Sequence, residues 1–202
     1  SRQFLCRAGQ AALAALGAQS LASAAGNPKP LNVVFFLADD MGWMDLSCYG
    51  STYYETPNID RLASEGMRFT QAYAACPVCS PTRASILTGK YPARLHLTDW
   101  LNGKKFPFAK LRVPDWAKGL APEELTIGER LQAAGYATAA IGKWHLGTKP
   151  EMAPSAQGFD AEWSGELPRL GDPEADPKTV YEITKKAMAF LEANREKPFF
   201  LY

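Results

Sequence analysis

Cys79, Ser80, Pro81, Thr82 and Arg83 sit in the run Ala75 to Gly89, and their types and spacing are those of a reactive centre. Ser80 can cap a helix, Pro81 suits its first position, Ile86 and Leu87 give it an apolar side, and Gly89 can end it. Cys79 is then expected at a helix N-terminus, where partial positive charge favours an anion and a reactive side chain. Arg83 follows one turn along the same face. A nucleophile beside a fixed guanidinium describes a site that processes oxyanions. The plain alternative for Cys79 is a buried, inert thiol.

Two other places carry comparable chemistry. Leu31 to Leu37 is a continuous apolar run of strand length, the pattern of a parallel strand covered on both faces, and it delivers Asp39 and Asp40 to its C-terminal end. Ligands of open α/β sheets collect at that edge, so adjacent carboxylates there form a hard-cation site, or else an ordinary solvated turn. Ala137 to Ile141 reads as a second buried strand and leads into Gly142-Lys143-Trp144-His145-Leu146-Gly147. On extended backbone Lys143 and His145 point to the same side, and the flanking glycines let the loop bend toward a ligand.

The elements that must position these groups follow from pattern. Thr56-Pro57 opens a helix through Ile59, Leu62 and Ala63, closed by Gly66, and Met67 to Ala72 is expected as a short strand. Arg94 to Trp100 and Lys104 to Arg112 lack periodicity and read as a surface excursion, of the kind that shapes pockets. Thr126-x-x-Glu129 is a capping box for a helix that Gly135 stops. Pro150 to Pro177 reads as loop, Val180 to Leu191 as a helix of about four turns, and Lys197 to Tyr202 as the start of another buried strand. The chain stops inside that strand, which marks it as a piece of something longer.

Composition bounds the answer. The 202 residues, 47% hydrophobic and 21% charged, suffice for one sizeable core. A formal charge of +1 gives no electrostatic case for nucleic acid or a membrane surface. Ser1 to Ala25, with Arg2 and Arg7, an Ala/Leu-rich stretch and Ala22-Ser23-Ala24, has the features of a secretory signal rather than a membrane span. Arg2-Gln3-Phe4-Leu5 resembles half of a twin-arginine signal, with Ser1 where the first arginine belongs. Removing the signal leaves three cysteines, an odd number that does not suggest a disulfide framework. Cys76-x-x-Cys79 also admits an exported thiol or zinc module, although the chain has no second such pair and only two histidines, His96 and His145.

Cys79 to Arg83 matches C-x-P-x-R, and with its extension through Pro92, the Asp39-Asp40 pair and the Gly-Lys-Trp-His-Leu-Gly loop, the region Leu31 to Tyr202 resembles the sulfatase family. The resemblance implies an alkaline-phosphatase-like α/β/α sandwich with a largely parallel mixed sheet, of which 26–202 is the N-terminal portion. It implies that a formylglycine-generating maturation enzyme oxidises Cys79 to Cα-formylglycine, whose hydrate is the nucleophile. Asp39, Asp40 and the modified Cys79 then resemble ligands of Ca²⁺, with Mg²⁺ as the alternative. Arg83, Lys143 and His145 resemble the groups that contact the hydrate and the sulfate. The implied substrates are sulfated small molecules or polysaccharides, the implied location periplasmic or extracellular. A phosphate or phosphonate ester hydrolase of the same superfamily shares the motif. The family's second histidine, its later Asp-Asn pair and its last lysine have no counterpart, so this piece alone is expected to be incomplete.

The Ala22-Ser23-Ala24 site predicts a mature protein that begins near Ala25. N-terminal sequencing of the protein from its native host checks this, and an intact Ser1 end recovered outside the cell would exclude it.

Overall fold

The computed structural model describes residues 29–101, 108–165 and 179–202. The chain divides into two units, Ser1–Leu31 and Asn32–Tyr202. The expected signal, 1–25, lies outside the described residues, as do 102–107 and 166–178.

The second unit is built on a sheet of four strands, β1 (Val33–Val34), β2 (Ala137–Ile141), β3 (Ala161–Trp163) and β4 (Phe199–Leu201), in the order β1-β4-β2-β3. Every described pairing is parallel, with Val33 beside Phe200, Ala139 beside Leu201, and Ala139 beside Ala161. The mixed character expected of the sheet is therefore not seen among the described residues. Among the described residues four α-helices accompany it: α1 (Pro57–Glu65), α2 (Cys79–Thr88), α3 (Ile127–Ala133) and α4 (Val180–Ala193).

Layering follows from the two-residue period of β4. Successive side chains leave opposite faces of a strand. Phe199 meets Phe190 of α4 edge-on at 6.3 Å. Phe200 turns the other way and joins Ala84 and Leu87 of α2, with Leu131 of α3 packed against the same core and Phe159 at 5.9 Å. One face thus carries α4, the other α2 and α3, which is the expected α/β/α sandwich. Ala139 and Ala140, buried at the centre of β2, are small enough to let both layers close on the sheet.

The start of α3 is locked by its capping box. The Thr126 hydroxyl accepts the Glu129 N–H at 3.2 Å, and the Glu129 carboxylate accepts the Thr126 N–H at 2.8 Å. That hydroxyl also donates to the Gln157 carbonyl at 2.7 Å, tying the cap to the segment before β3. Gly158 follows with φ 85°, and a Cβ there would lie 2.2 Å from the Glu129 nitrogen, so only glycine fits this crossing. Asp160 closes the arrangement by accepting the Thr138 N–H at 3.0 Å and Gln132 Nε2–H at 2.6 Å.

Several expectations are corrected. Of Leu31 to Leu37 only Val33–Val34 forms a strand, extended by Phe35 N–H donating to the Leu201 carbonyl at 2.7 Å. Among the described residues it stands at one end of the sheet, and in this stretch of chain Val34 is 41% exposed, so covering on both faces is not seen here. Met67 to Ala72 forms no strand; Met67 and Phe69 are exposed, and no described strand offers them a ladder. Arg94 to Trp100 lacks regular structure, yet Leu97 is fully buried in the core, so the excursion is anchored rather than superficial. The stretch read as loop after Pro150 contains two 3₁₀ turns, Pro150–Met152 and Pro154–Gln157, and then β3. Among the described residues no helix is long and apolar enough to cross a membrane.

Burial opposes ionisation of Asp160, but its hydrogen bonds from Gln132 and Thr138 outweigh that and hold its pKa below the ordinary value. A depressed carboxylate stabilises the fold above its unfolded pKa, and the contribution fades as pH falls. Asp160→Asn should cost about 1 kcal/mol at pH 7, below the usual range for a bond to a charged group because the carboxylate is exposed. The gap between variant and parent in urea melts should close below about pH 4.

Candidate active site

The residues singled out in the sequence meet at the C-terminal edge of the sheet, where parallel strands release their loops. Asp39 and Asp40 follow β1, Lys143 and His145 follow β2, and Cys79 opens α2. Helix α2 begins two residues earlier than a Ser80 cap requires. Val78, extended at φ −129° and ψ 159°, occupies the cap without a side-chain bond, and Cys79 is the first helical residue. Ser80 is fully buried and its hydroxyl accepts the Leu101 N–H at 3.3 Å. Gly89 ends the helix as expected, left-handed at φ 68°.

Arg83 is the hub. Its side chain is 4% exposed, and Nη1 donates to the Lys143 carbonyl at 2.5 Å and to the Tyr202 hydroxyl at 3.2 Å. Nη2 donates to Asp39 Oδ1 at 3.2 Å. Lys143 Nζ reaches the other oxygen of the same carboxylate at 2.5 Å. Burial works against the Asp39 charge, but the bonds and charges of Lys143 and Arg83 prevail and its pKa falls below the ordinary value. Burial and the opposing Asp39 charge push the Tyr202 hydroxyl up, against the pull of Arg83, so it stays protonated near neutrality.

His145 Nδ1 lies 3.2 Å from Cys79 Sγ. Burial first, then the Lys143 and Arg83 charges, lower its pKa against the pull of Asp39, so the ring is neutral at pH 7 and can accept a proton. The expected same-side geometry is reached differently from the sequence reading. His145 is left-handed at φ 57°, and the turn, between buried Trp144 and Leu146, aims the ring at Cys79. Trp144 Nε1–H donates to the Met152 carbonyl at 2.8 Å and fixes the loop from behind.

Asp40 is the outlier of the group. It is exposed at φ 58°, and its carboxylate has no protein partner among the described residues. Beside Asp39 it offers hard oxygens that suit Ca²⁺ or Mg²⁺. Among the described residues, however, no three His, Cys, Asp or Glu side chains are grouped to hold a metal, so these carboxylates fit part of a ligand set. Cys48, Cys76 and Cys79 are free thiols. Cys76 contributes its carbonyl, which accepts the Thr82 hydroxyl at 2.6 Å. Sequence reasoning missed Tyr202 as a site residue; a hydroxyl-bearing side chain ending an apolar strand was the available signal.

Removing the Arg83 guanidinium strands the Tyr202 hydroxyl and the Lys143 carbonyl and leaves Asp39 with one cation. Arg83→Ala should destabilise the protein by about 2–3 kcal/mol in urea melts, and Arg83→Lys should recover little, because a single ammonium cannot span three acceptors.

Comparison with known proteins identifies the family and the fold. The family model for sulfatases matches residues 31–202. N-acetylgalactosamine-6-sulfatase of Rattus norvegicus is 46% identical over 163 residues, covering 79% of this chain and 29% of that protein. Human arylsulfatase A is 42% identical over 142 residues, covering 69% of this chain and 26% of its own length. A solved structure described as a complex with its substrate D-glucosamine-2-N,6-O-disulfate superposes with a TM-score of 0.65 at 32% identity, covering 86% of this chain and 33% of that one. The chain thus spans from about a quarter to a third of these proteins. Matched over its second unit in sequence and in fold, the chain belongs to the sulfatase family.

Proposed function

We propose that the full-length protein is an exported hydrolase of carbohydrate sulfate esters that uses position 79 as its nucleophile after a maturation enzyme has oxidised Cys79 to formylglycine. The observation that carries this reading is the contact of a neutral His145 with Cys79 beside two cations, Arg83 and Lys143, that share one carboxylate. Relatives named for a sulfated sugar or bound to one support the substrate class.

The residues present suit the modification. Arg83 Nε is buried without a protein partner one turn along α2 from Cys79. That buried donor is available to an oxygen brought within its reach at this end of the site. As its hydrate the aldehyde supplies two hydroxyls on one carbon, one to displace the alcohol from sulfur and one whose deprotonation expels sulfate and restores the carbonyl.

The chain's own groups do the rest. A sulfate ester spreads negative charge over its oxygens and repels a nucleophile. Lys143, 41% exposed, can turn its ammonium from Asp39 to those oxygens, while buried Arg83 holds its charge in place beneath them. His145 Nδ1, at hydrogen-bond range from the substituent of residue 79, takes the proton whose loss releases sulfate. Asp39 and Asp40 would hold a divalent cation, which would add Lewis-acid screening of the same oxygens.

Co-expression of the full-length protein with a formylglycine-generating enzyme tests the reading. The tryptic peptide containing residue 79 should be lighter by about 18 Da, a change distinct from the other oxidation states of cysteine. Sulfate should be released from a sulfated hexosamine in preference to phosphate from its phosphate analogue. Cys79→Ala should lower turnover at least about 1,000-fold while Cys76→Ala leaves it within about threefold. Turnover by an unmodified Cys79, or the reverse pattern in the two variants, would remove the mechanism; preference for the phosphate ester would reassign the substrate.

A further inference from the structure

Beside the site, the irregular segment after α2 brings Trp100 against His145, with ring centroids 6.3 Å apart and the rings edge to face at 65°. The indole is half-buried and stands outside the core cluster. Its own N–H has no partner among the described residues, whereas its backbone is held on both sides. The Trp100 carbonyl accepts Trp116 Nε1–H at 3.1 Å, and Lys118 Nζ sits 3.0 Å above the Trp116 ring. The next residue, Leu101, donates its N–H to the buried hydroxyl of Ser80, which is the residue after Cys79. Leu97 and Leu101 anchor the segment in the interior. Trp100 is thereby registered to the nucleophile's own helix, with a π-face and a free donor left over.

We propose that Trp100 is the wall of the subsite for the alcohol half of the substrate and recognises a sugar ring. The inference rests on the sulfatase reading above. With sulfur beside residue 79, an alcohol directed past His145 would meet the indole that packs edge-on against that ring. An apolar face carrying one N–H suits a pyranose, whose C–H face can stack while a hydroxyl accepts the N–H. Half-burial leaves the remaining hydroxyls of the ring in water. A wholly apolar alcohol would instead leave the free indole donor unpaired.

The test uses the mature full-length enzyme with N-acetylgalactosamine 6-sulfate as substrate and inorganic sulfate as a probe of the sulfate subsite alone. Trp100→Ala should raise KM about tenfold with kcat within about threefold, and Trp100→Phe should restore most of the loss because it keeps a stacking face. The inhibition constant of inorganic sulfate should not change in either variant. An unchanged KM in Trp100→Ala overturns the proposal. A parallel rise in KM and in the sulfate inhibition constant also overturns it, since the residue would then be shaping the sulfate site. Wild-type enzyme that carries the modification yet releases sulfate neither from this sugar nor from an aryl sulfate would sink the sulfatase reading and the wall with it. Release from the aryl ester combined with an unchanged KM in Trp100→Ala would leave the sulfatase reading standing and remove only the wall.

Discussion

A single buried guanidinium holds the sheet edge in register. Arg83 reaches from α2 to the exit of β1 through Asp39, to the exit of β2 through the Lys143 carbonyl, and to the end of β4 through Tyr202. Three parallel strands that share no loop at this edge are thereby tied to one point. A charge buried to this degree is tolerable only with its partners in place, because desolvation otherwise outweighs the attraction. Folding the sandwich and assembling the site are consequently the same event. The guanidinium cannot be placed until helix and sheet have docked, and once it is placed the carboxylate and the lysine follow.

Charge is distributed around that hub in a way that sets protonation without any extreme shift. The two cations share Asp39, which keeps the carboxylate ionised despite its burial. The same cations, together with burial, keep His145 neutral. An acceptor of protons and a donor of positive field thus coexist within one cluster, as differing pKa pressures on neighbouring groups allow. The free thiol at Cys79 lies against His145, at the first residue of a helix.

Much of this was legible in the chain, and the parts that were not have identifiable causes. Thr126 and Glu129 announce α3 because a capping box is a local bargain between residues three apart. Ala137 to Ile141 and Phe199 to Leu201 announce strands because burial on both faces leaves short runs in which the one polar side chain, Thr138, is small and hydrogen-bonded. Val33 and Val34 carry the same signal, and among the described residues they pair with β4 on one side. Ser80 was misread as a cap because its true partner, Leu101, is 21 residues away. The three residues of β3 hid in a proline-rich stretch too short to show a period. Lys143 and His145 were found for their chemistry, while the bend that aims His145 belongs to a backbone region that sequence seldom betrays in a non-glycine residue.

That bend ties the fate of the base to the interior. A left-handed residue carries conformational strain of order 1 kcal/mol, which must be borne by its surroundings. For His145 the bearers are its neighbours in the chain, Trp144 and Leu146, both sunk in the core. Neither can shift without letting the imidazole swing away from residue 79. Damage to these two apolar side chains would therefore surface as lost chemistry before it surfaced as lost fold, and a lesion in the packing would be mistaken, on kinetic grounds alone, for a lesion in the site.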